Sequence, residues 1–276
     1  MTIIDAIIQA IIQGLTEFLP VSSSGHLKLY QVITGQSVEE GTFLLVILHL
    51  GTLVAVCIAF WDTIWALIKE FFVMVGDIFK GKFKWSTMNP ERRMIIMLLI
   101  SLILLVPFYL IKDVFENVSV PVLGCCFLFT SIELFFASRM RSGKKTAGDI
   151  KVPDAVVIGL FQCAALFPGV SRSGSTISGG LFRGLEKETA VRYSFVLGIP
   201  AILGGCLSEL LDVMKGEITV NLPAAAIGFV VAAIVGVLAI QLVRWLIRSD
   251  NFIVFSIYTF LVSIATFVYW FGFANK

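Results

Sequence analysis

Charged residues are scarce in this sequence. Only 14% of its 276 residues are Asp, Glu, Lys or Arg, whereas 58% are hydrophobic, and the mean hydropathy is +0.94. A soluble domain carries about 25% charged residues, so the composition excludes an ordinary soluble protein. Long apolar runs, spaced as bilayer crossings are, indicate an all-α, polytopic membrane protein.

Several common functional motifs are missing. The sequence has no Gly-rich phosphate loop of the nucleotide-hydrolysing type, no dinucleotide fingerprint and no zinc-binding helix motif, so nucleotide-driven transport is unsupported. The five cysteines lie in apolar stretches without metal-type spacing, and we expect them to be small core residues. The opening MTIIDAIIQAIIQ lacks a basic region and carries Asp5, so we expect it to belong to the mature protein.

Six apolar runs are long enough to cross a bilayer. They cover approximately residues 42–68, 94–112, 118–138, 189–211, 222–247 and 252–273. Two further segments, 2–33 and 154–184, each contain a short apolar stretch, a break rich in Pro, Gly and Ser, and a second short stretch. Each is predicted to be a re-entrant helix–loop–helix element, which is tolerated at membrane depth where protein or a wet cavity covers the free backbone groups.

The basic residues give these elements an orientation. If residues 69–93 face the cytoplasm, alternate crossings place 139–151, 183–192 and 244–250 on the same side, and these four segments hold 16 of the 21 Lys and Arg residues. Such an excess is what the positive-inside rule expects. The first broken segment is then predicted at the outer face, and the second at the inner face.

The two broken segments are related in sequence. DAIIQAIIQ, which starts at Asp5, aligns with DAVVIGLFQ, which starts at Asp154, at an offset of 149 residues. The same register pairs Gln13 with Gln162 and VSSSGH with VSRSGS. Because the copies enter from opposite faces, we predict an inverted repeat, which brings the two loops together near the midplane. The predicted boundaries are 1–276 for a single membrane domain, about 2–138 for the first copy and about 151–273 for the second.

The two breaks are the candidate functional site. Together they supply hydroxyl groups, open backbone N–H groups and one guanidinium, a set suited to a phosphate or another oxyanion. Gln13 and Glu17 lie on one helix face just before the first break, because a spacing of four residues returns to that face. The loop residues are Ser22, Ser23, Ser24, Gly25 and His26 in the first break, and Ser171, Arg172, Ser173, Gly174, Ser175 and Thr176 in the second.

Structural roles compete with functional ones at these positions. Serine and glycine in membrane helices often serve close packing and capping. For any single serine here, such a structural role and a functional role are about equally expected. Arg172 differs, because a guanidinium in an apolar chain is costly unless it is paired or solvated, which favours a function. Structural pairing is the favoured interpretation for His49 and Glu133, which lie inside predicted spans.

Two long motifs carry a family resemblance. QGLTEFLPVSSSGH, from Gln13 to His26, and PGVSRSGSTISGG, from Pro168 to Gly180, resemble the signature segments of the bacterial undecaprenyl-diphosphate phosphatases of the bacitracin-resistance integral membrane type. The resemblance covers essentially the whole chain in length and hydropathy. It implies a hydrolase of the bacterial cytoplasmic membrane that removes the terminal phosphate of the C55 polyprenyl diphosphate and so recycles the lipid carrier of peptidoglycan synthesis.

The resemblance also implies roles for individual residues. Arg172 and the loop N–H groups would hold the diphosphate, and Glu17 would be the protein ligand of a divalent cation, Mg²⁺ or Ca²⁺. For the nucleophile we favour Ser23, activated by His26 as general base. Direct attack by His26 or by a metal-bound water stays open. The substrate-binding set is Gln13, Ser22, Ser24, Gly25, Ser171, Ser173, Gly174 and Thr176.

Two other classes of function remain. A transporter or flippase for an anionic lipid would use the same broken helices and the same anion site, but it needs no nucleophile and base beside the anion. A structural membrane subunit would leave Glu17 and Arg172 without a purpose. We expect the bilayer and the polyprenyl diphosphate as partners and no nucleic acid, a homodimer is left open, and we expect the site to face the extracytoplasmic side.

Overall fold

The computed structural model is built from α-helices. It describes residues 2–35, 38–109, 111, 115, 118–213 and 221–274, and these hold eleven α-helices and no named strand. The helices are α1 (Ile3–Phe18), α2 (Ser23–Thr34), α3 (Val38–Ala59), α4 (Trp61–Phe79), α5 (Pro90–Tyr109), α6 (Val120–Ser138), α7 (Val152–Ala164), α8 (Arg172–Phe182), α9 (Lys187–Val213), α10 (Leu222–Arg248) and α11 (Ile253–Tyr269).

Local sequence signals set several helix ends. Thr2 forms a capping box with Asp5 at the start of α1, and the Asn221 side chain accepts a hydrogen bond from the backbone of α10. At the end of α2, Gly35 adopts a left-handed conformation with φ 68°, which glycine reaches without a steric penalty. These three helix ends therefore follow from short local motifs.

Both predicted breaks are present. The first lies between α1 and α2 and contains Pro20 and Ser22, whose φ of 72° places a non-glycine residue in the left-handed region. The second lies between α7 and α8 and contains Pro168 and Gly169, whose φ is 96°. Proline removes a backbone donor, and positive φ interrupts the helical path, so each segment is a helix, a break and a second helix.

The spans agree with the prediction only in part. Within the described residues, four helices are long and apolar enough to cross a membrane, or five if one bent pair counts as a span. The chain is therefore a multi-pass membrane protein. The predicted run 94–112 extends past α5 into residues outside the described part. The four spans are Val120–Ser138, Lys187–Ser208, Leu222–Arg248 and Ile253–Phe273.

The predicted run 42–68 is not one straight span. Helices α3 and α4 meet at Phe60 with a bend of 87°, so this run is a single span only if the bent pair is counted together. Phe60 is buried and packs edge-on against Phe195, with ring centroids 5.7 Å apart. Beyond the bend, Trp61 and Trp65 are exposed and stacked on each other. Such amphipathic aromatic side chains favour the membrane–water boundary, so α4 has the character of an interfacial helix.

Glycines allow α1 and α3 to lie close against α10. A Cβ at Gly14 in α1 would lie 2.9 Å from the carbonyl oxygen of Ala232, and one at Gly51 in α3 would lie 2.6 Å from that of Phe229. Small residues at such crossings let backbones approach, and dispersion then replaces lipid contacts. This packing fixes the end of α1, which carries Glu17, in the interior of the protein.

Candidate active site

The two breaks contact each other directly. The backbone N–H of Gly169 donates a hydrogen bond to Ser22 Oγ at 3.1 Å, and Ser173 Oγ donates to the carbonyl of Leu19 at 3.3 Å. A Cβ at Gly25 would lie only 2.8 Å from Gly169 Cα. The loops are thus packed backbone to backbone, and the beginnings of α2 and α8 lie together.

Both helices begin with a serine cap. Ser22 accepts a hydrogen bond from Gly25 N at 3.3 Å at the start of α2, and Ser171 accepts one from Gly174 N at 3.1 Å at the start of α8. Two helix N-termini, each with a positive partial charge, are therefore brought to one place. This arrangement favours an anion even before any side-chain charge is counted.

Glu17 is the centre of the polar cluster. It is buried, with 7% of its surface exposed. Its Oε1 pairs with the guanidinium of Arg172, and its Oε2 accepts hydrogen bonds from Ser23 Oγ at 2.7 Å and from Gln13 Nε2 at 3.0 Å. His49 Nε2 lies 4.0 Å from the same Oε2. A hydroxyl and a guanidinium thus both contact one buried carboxylate.

A cavity of about 190 Å³ opens beside this cluster. Its polar side is formed by Glu17, Ser23, Ser24, His49, Gln162 and Arg172. Apolar residues of α5 and α9, among them Leu105 and Ile202, also line the cavity. The cavity thus offers both a guanidinium and apolar surface to whatever enters it.

Comparison with known proteins identifies the family. The family model for bacitracin resistance protein BacA matches residues 6–265. The chain belongs to the BacA family. An undecaprenyl-diphosphatase of Alkaliphilus metalliredigens is 39% identical over 95% of this chain and 96% of its own length. Proteins with the same name from Methanobrevibacter smithii and Bacteroides thetaiotaomicron are 40% and 35% identical, each over 97% of this chain and 98% and 99% of their own lengths.

In this BacA protein His26 does not meet Ser23. His26 Nδ1 lies 2.8 Å from the carbonyl oxygen of Ser22, and Nε2 lies 2.9 Å from the hydroxyl of Tyr258, on which the ring stacks. A carbonyl only accepts, so Nδ1 carries the proton and Nε2 accepts from Tyr258. Neither nitrogen is left to accept the proton of Ser23. The predicted hydrogen bond between Ser23 and His26 is therefore not formed: Ser23 Oγ donates to Glu17, and the His26 ring is held by Ser22 and Tyr258.

The remaining predicted residues of this BacA protein divide into two groups. Ser24 lines the cavity together with Ser23. Ser22, Ser171 and Ser173 instead hold the loops through the bonds described above. Thr176 donates to the carbonyl of Arg172 at 2.8 Å and lies 2.6 Å from the hydroxyl of Ser194, while Ser175 donates to Glu133 at 2.8 Å. These hydroxyls therefore bond within α8 and to the neighbouring helices α6 and α9.

His49 was assigned to structural pairing from sequence, yet it lines the cavity. Its Nδ1 lies 2.8 Å from the carbonyl oxygen of Leu45, so Nδ1 carries the proton and Nε2 faces Glu17. The signal that could have found it is the rarity of ionisable residues within membrane helices.

The donor set does not fit a metal held by the protein alone. Among the described residues, no group of three His, Cys, Asp or Glu side chains lies close enough to hold an ion. Glu17 is the carboxylate of the cavity, and both of its oxygens already accept bonds from Arg172, Ser23 and Gln13. Glu17 could therefore meet a divalent cation only together with oxygens of a bound substrate.

Proposed function

We propose that this protein is an undecaprenyl-diphosphatase, which hydrolyses the C55 polyprenyl diphosphate to the monophosphate and inorganic phosphate. The observation that carries the proposal is the contact of Ser23 Oγ with Glu17 beside Arg172, at a cavity lined by both polar and apolar residues. The curated relatives with this activity in their names align over nearly the whole chain.

Ser23 is the proposed nucleophile, and Glu17 rather than His26 is the proposed base. When the diphosphate enters, its oxygens compete with Glu17 for the Arg172 guanidinium. Glu17 then loses its counter-charge, which favours uptake of the Ser23 proton. The Ser23 oxygen attacks the terminal phosphorus, the bond to the bridging oxygen breaks, and the polyprenyl monophosphate leaves with the electron pair of that bond.

The second step returns the enzyme to its starting state. Glu17 first passes the proton it took from Ser23 to the departing monophosphate. It then accepts a proton from the water that attacks phosphorus in the phosphoserine, the bond between phosphorus and Ser23 Oγ breaks, and Oγ takes that proton back as inorganic phosphate leaves. Arg172 and the two helix N-termini compensate the charge that spreads over the phosphoryl oxygens in both steps. The apolar surface of the cavity receives the first part of the prenyl chain, so that only the head group needs a polar environment.

The membrane arrangement is part of the same proposal. Six spans, an inverted pair of repeats and a site open to the extracytoplasmic side of the cytoplasmic membrane agree with the distribution of Lys and Arg along the chain. A substrate released on the outer side of the membrane then reaches Arg172 without crossing the bilayer.

A flippase for polyprenyl phosphate is the second candidate. The observation in its favour is the meeting of two broken helices at an anion-binding cavity, a construction common among transporters. The hydrogen bond from Ser23 to Glu17 favours hydrolysis, because a carrier has no use for an activated hydroxyl.

Phosphate release by the detergent-purified protein tests the proposal. With undecaprenyl diphosphate as substrate, Ser23→Ala and Arg172→Ala should each lose at least about 100-fold in kcat, since each removes a group acting in the transition state. The matched controls are Ser249→Ala and Arg141→Ala, which change exposed residues. EDTA is added in parallel, and we propose that any cation required arrives bound to the diphosphate.

Wild-type turnover in Ser23→Ala would remove the nucleophile assignment. An absence of phosphate release from folded wild-type protein under every divalent ion would instead favour the flippase, which a liposome translocation assay would then measure.

A further inference from the structure

Gln162 is a buried amide whose polar atoms have no partner within the described residues. Its side chain is in α7, 2% of its surface is exposed, and neither Nε2 nor Oε1 makes a hydrogen bond. It also lines the cavity that holds Glu17 and Arg172. The reaction proposed above makes no use of it.

Its counterpart in the repeat shows why the amide is free. Gln13 stands at the equivalent position of the first copy, and its Nε2 donates to Glu17, which lies four residues further along α1. Four residues beyond Gln162 the second copy has Leu166, another residue that lines the cavity. The second copy therefore has the amide but not the carboxylate that would accept its hydrogen bond.

An unpaired amide is costly in the interior. Burying it without a hydrogen bond is unfavourable, and a leucine of similar volume would avoid that cost. The great majority of buried polar side-chain atoms do find a partner. Because Gln162 lines the cavity, a ligand that enters there can supply the missing partner.

The surroundings define the chemistry of that partner. Arg172 and the N-termini of α2 and α8 make the cavity favourable to anions, and Leu166 adds no negative charge on the side of Gln162. A neutral amide can donate to an anionic oxygen through Nε2, while Oε1 accepts from a phosphate hydroxyl or a water. A carboxylate at the same place would repel the ligand.

We propose that Gln162 binds a phosphate oxyanion and is the second copy's contact with the terminal phosphoryl group. The identification of that group as part of a polyprenyl diphosphate rests on the proposed function. The two copies then have different roles. The Gln13–Glu17 pair takes part in proton transfer, whereas Gln162 and Arg172 bind the phosphoryl group that is transferred.

The test combines kinetics with stability. Gln162→Leu should lower kcat/KM for undecaprenyl diphosphate at least tenfold and weaken inhibition by inorganic phosphate, while Tm stays equal or rises, because an unsatisfied amide is removed. Gln162→Glu, which keeps the size but adds a negative charge, should lose still more activity. Gln241→Leu, at an exposed position of α10, is the control.

Activity of Gln162→Leu within twofold of the wild type, or an unchanged inhibition constant for phosphate, would overturn the proposal. A Tm that falls in both Gln162→Leu and Gln162→Glu would overturn it as well, since the amide would then be a structural residue. If the wild type releases no phosphate, the proposed function fails independently. A rise of the wild-type Tm in inorganic phosphate that Gln162→Leu lacks would still support the anion site.

Discussion

At the scale of single residues, Glu17 and His26 have separate hydrogen-bond partners. Sequence reasoning placed Ser23 beside a base three residues along the loop. In the structure, Ser23 Oγ instead donates a hydrogen bond at 2.7 Å to Glu17, six residues earlier, and His26 is hydrogen-bonded to Tyr258. Tyr258 lies 232 positions away from His26 along the chain, so no local pattern could have indicated it.

The bonds of His26 predict a positioning role. His26→Ala removes the donor to the Ser22 carbonyl and so loosens the loop that carries Ser23, and we expect kcat to fall at least tenfold. His26→Gln, which can still donate to that carbonyl, should recover a substantial part of the loss.

The pH dependence of kcat measured for both variants distinguishes positioning from proton transfer. A positioning role predicts that the basic and acidic limbs of the profile stay where they are in the wild type. Equal loss in His26→Gln and His26→Ala, with one limb abolished, would restore His26 as the base.

At the scale of elements, the breaks are where sequence and structure agree most closely. Proline, glycine and serine within apolar stretches predict interrupted helices from backbone chemistry alone, and Pro20, Pro168 and Gly169 do lie in the breaks. The bend at Phe60 was missed because α3 and α4 follow each other as one apolar run. Hydropathy measures how apolar a run is, and it does not change where the helix axis changes direction within that run.

The contact between the breaks predicts the effect of adding one methyl group. Gly25→Ala would place a Cβ 2.6 Å from Phe127 and 2.8 Å from the Gly169 backbone. Because Gly169 cannot move without shifting its own loop, we expect a loss of about 1–3 kcal/mol in stability and a larger loss of activity. Thermal unfolding in detergent, together with phosphate release, measures both.

Gly76→Ala is the matched control for that substitution, since a Cβ at Gly76 has open space around it. If the Gly25→Ala protein unfolds at the same temperature as the wild type and has wild-type turnover, the two loops are not in firm contact.

At the scale of the whole molecule, the outer surface of the helices is apolar. Large side chains such as Leu238 and Phe260 are exposed, 57% and 46% respectively. Exposed apolar surface of this extent marks a face toward lipid. Composition alone predicted the membrane environment. The number of spans and the spatial relation between the two copies cannot be read from composition, because they depend on the course of every helix through the bilayer.

Thiol labelling tests the proposed orientation of the whole molecule. Lys82→Cys, in the basic connection after α4, should react with a membrane-impermeant thiol reagent only when the cytoplasmic face is open. Thr34→Cys, at the end of α2, should react in intact cells. Both positions are exposed, and the unsubstituted protein gives the background from the five native cysteines. Labelling with the opposite pattern would invert the topology and place the site toward the cytoplasm.

The ion pair between Glu17 and Arg172 has a consequence for biogenesis. Its partners lie 155 residues apart in the chain, so during translation the carboxylate enters the bilayer well before its counter-ion is made. At about 5–20 residues per second, the delay is on the order of ten seconds. Throughout that interval an insertion intermediate carries an uncompensated acid in the membrane. The newly made first half is therefore a natural client for the machinery that shelters polar helices until the second half arrives.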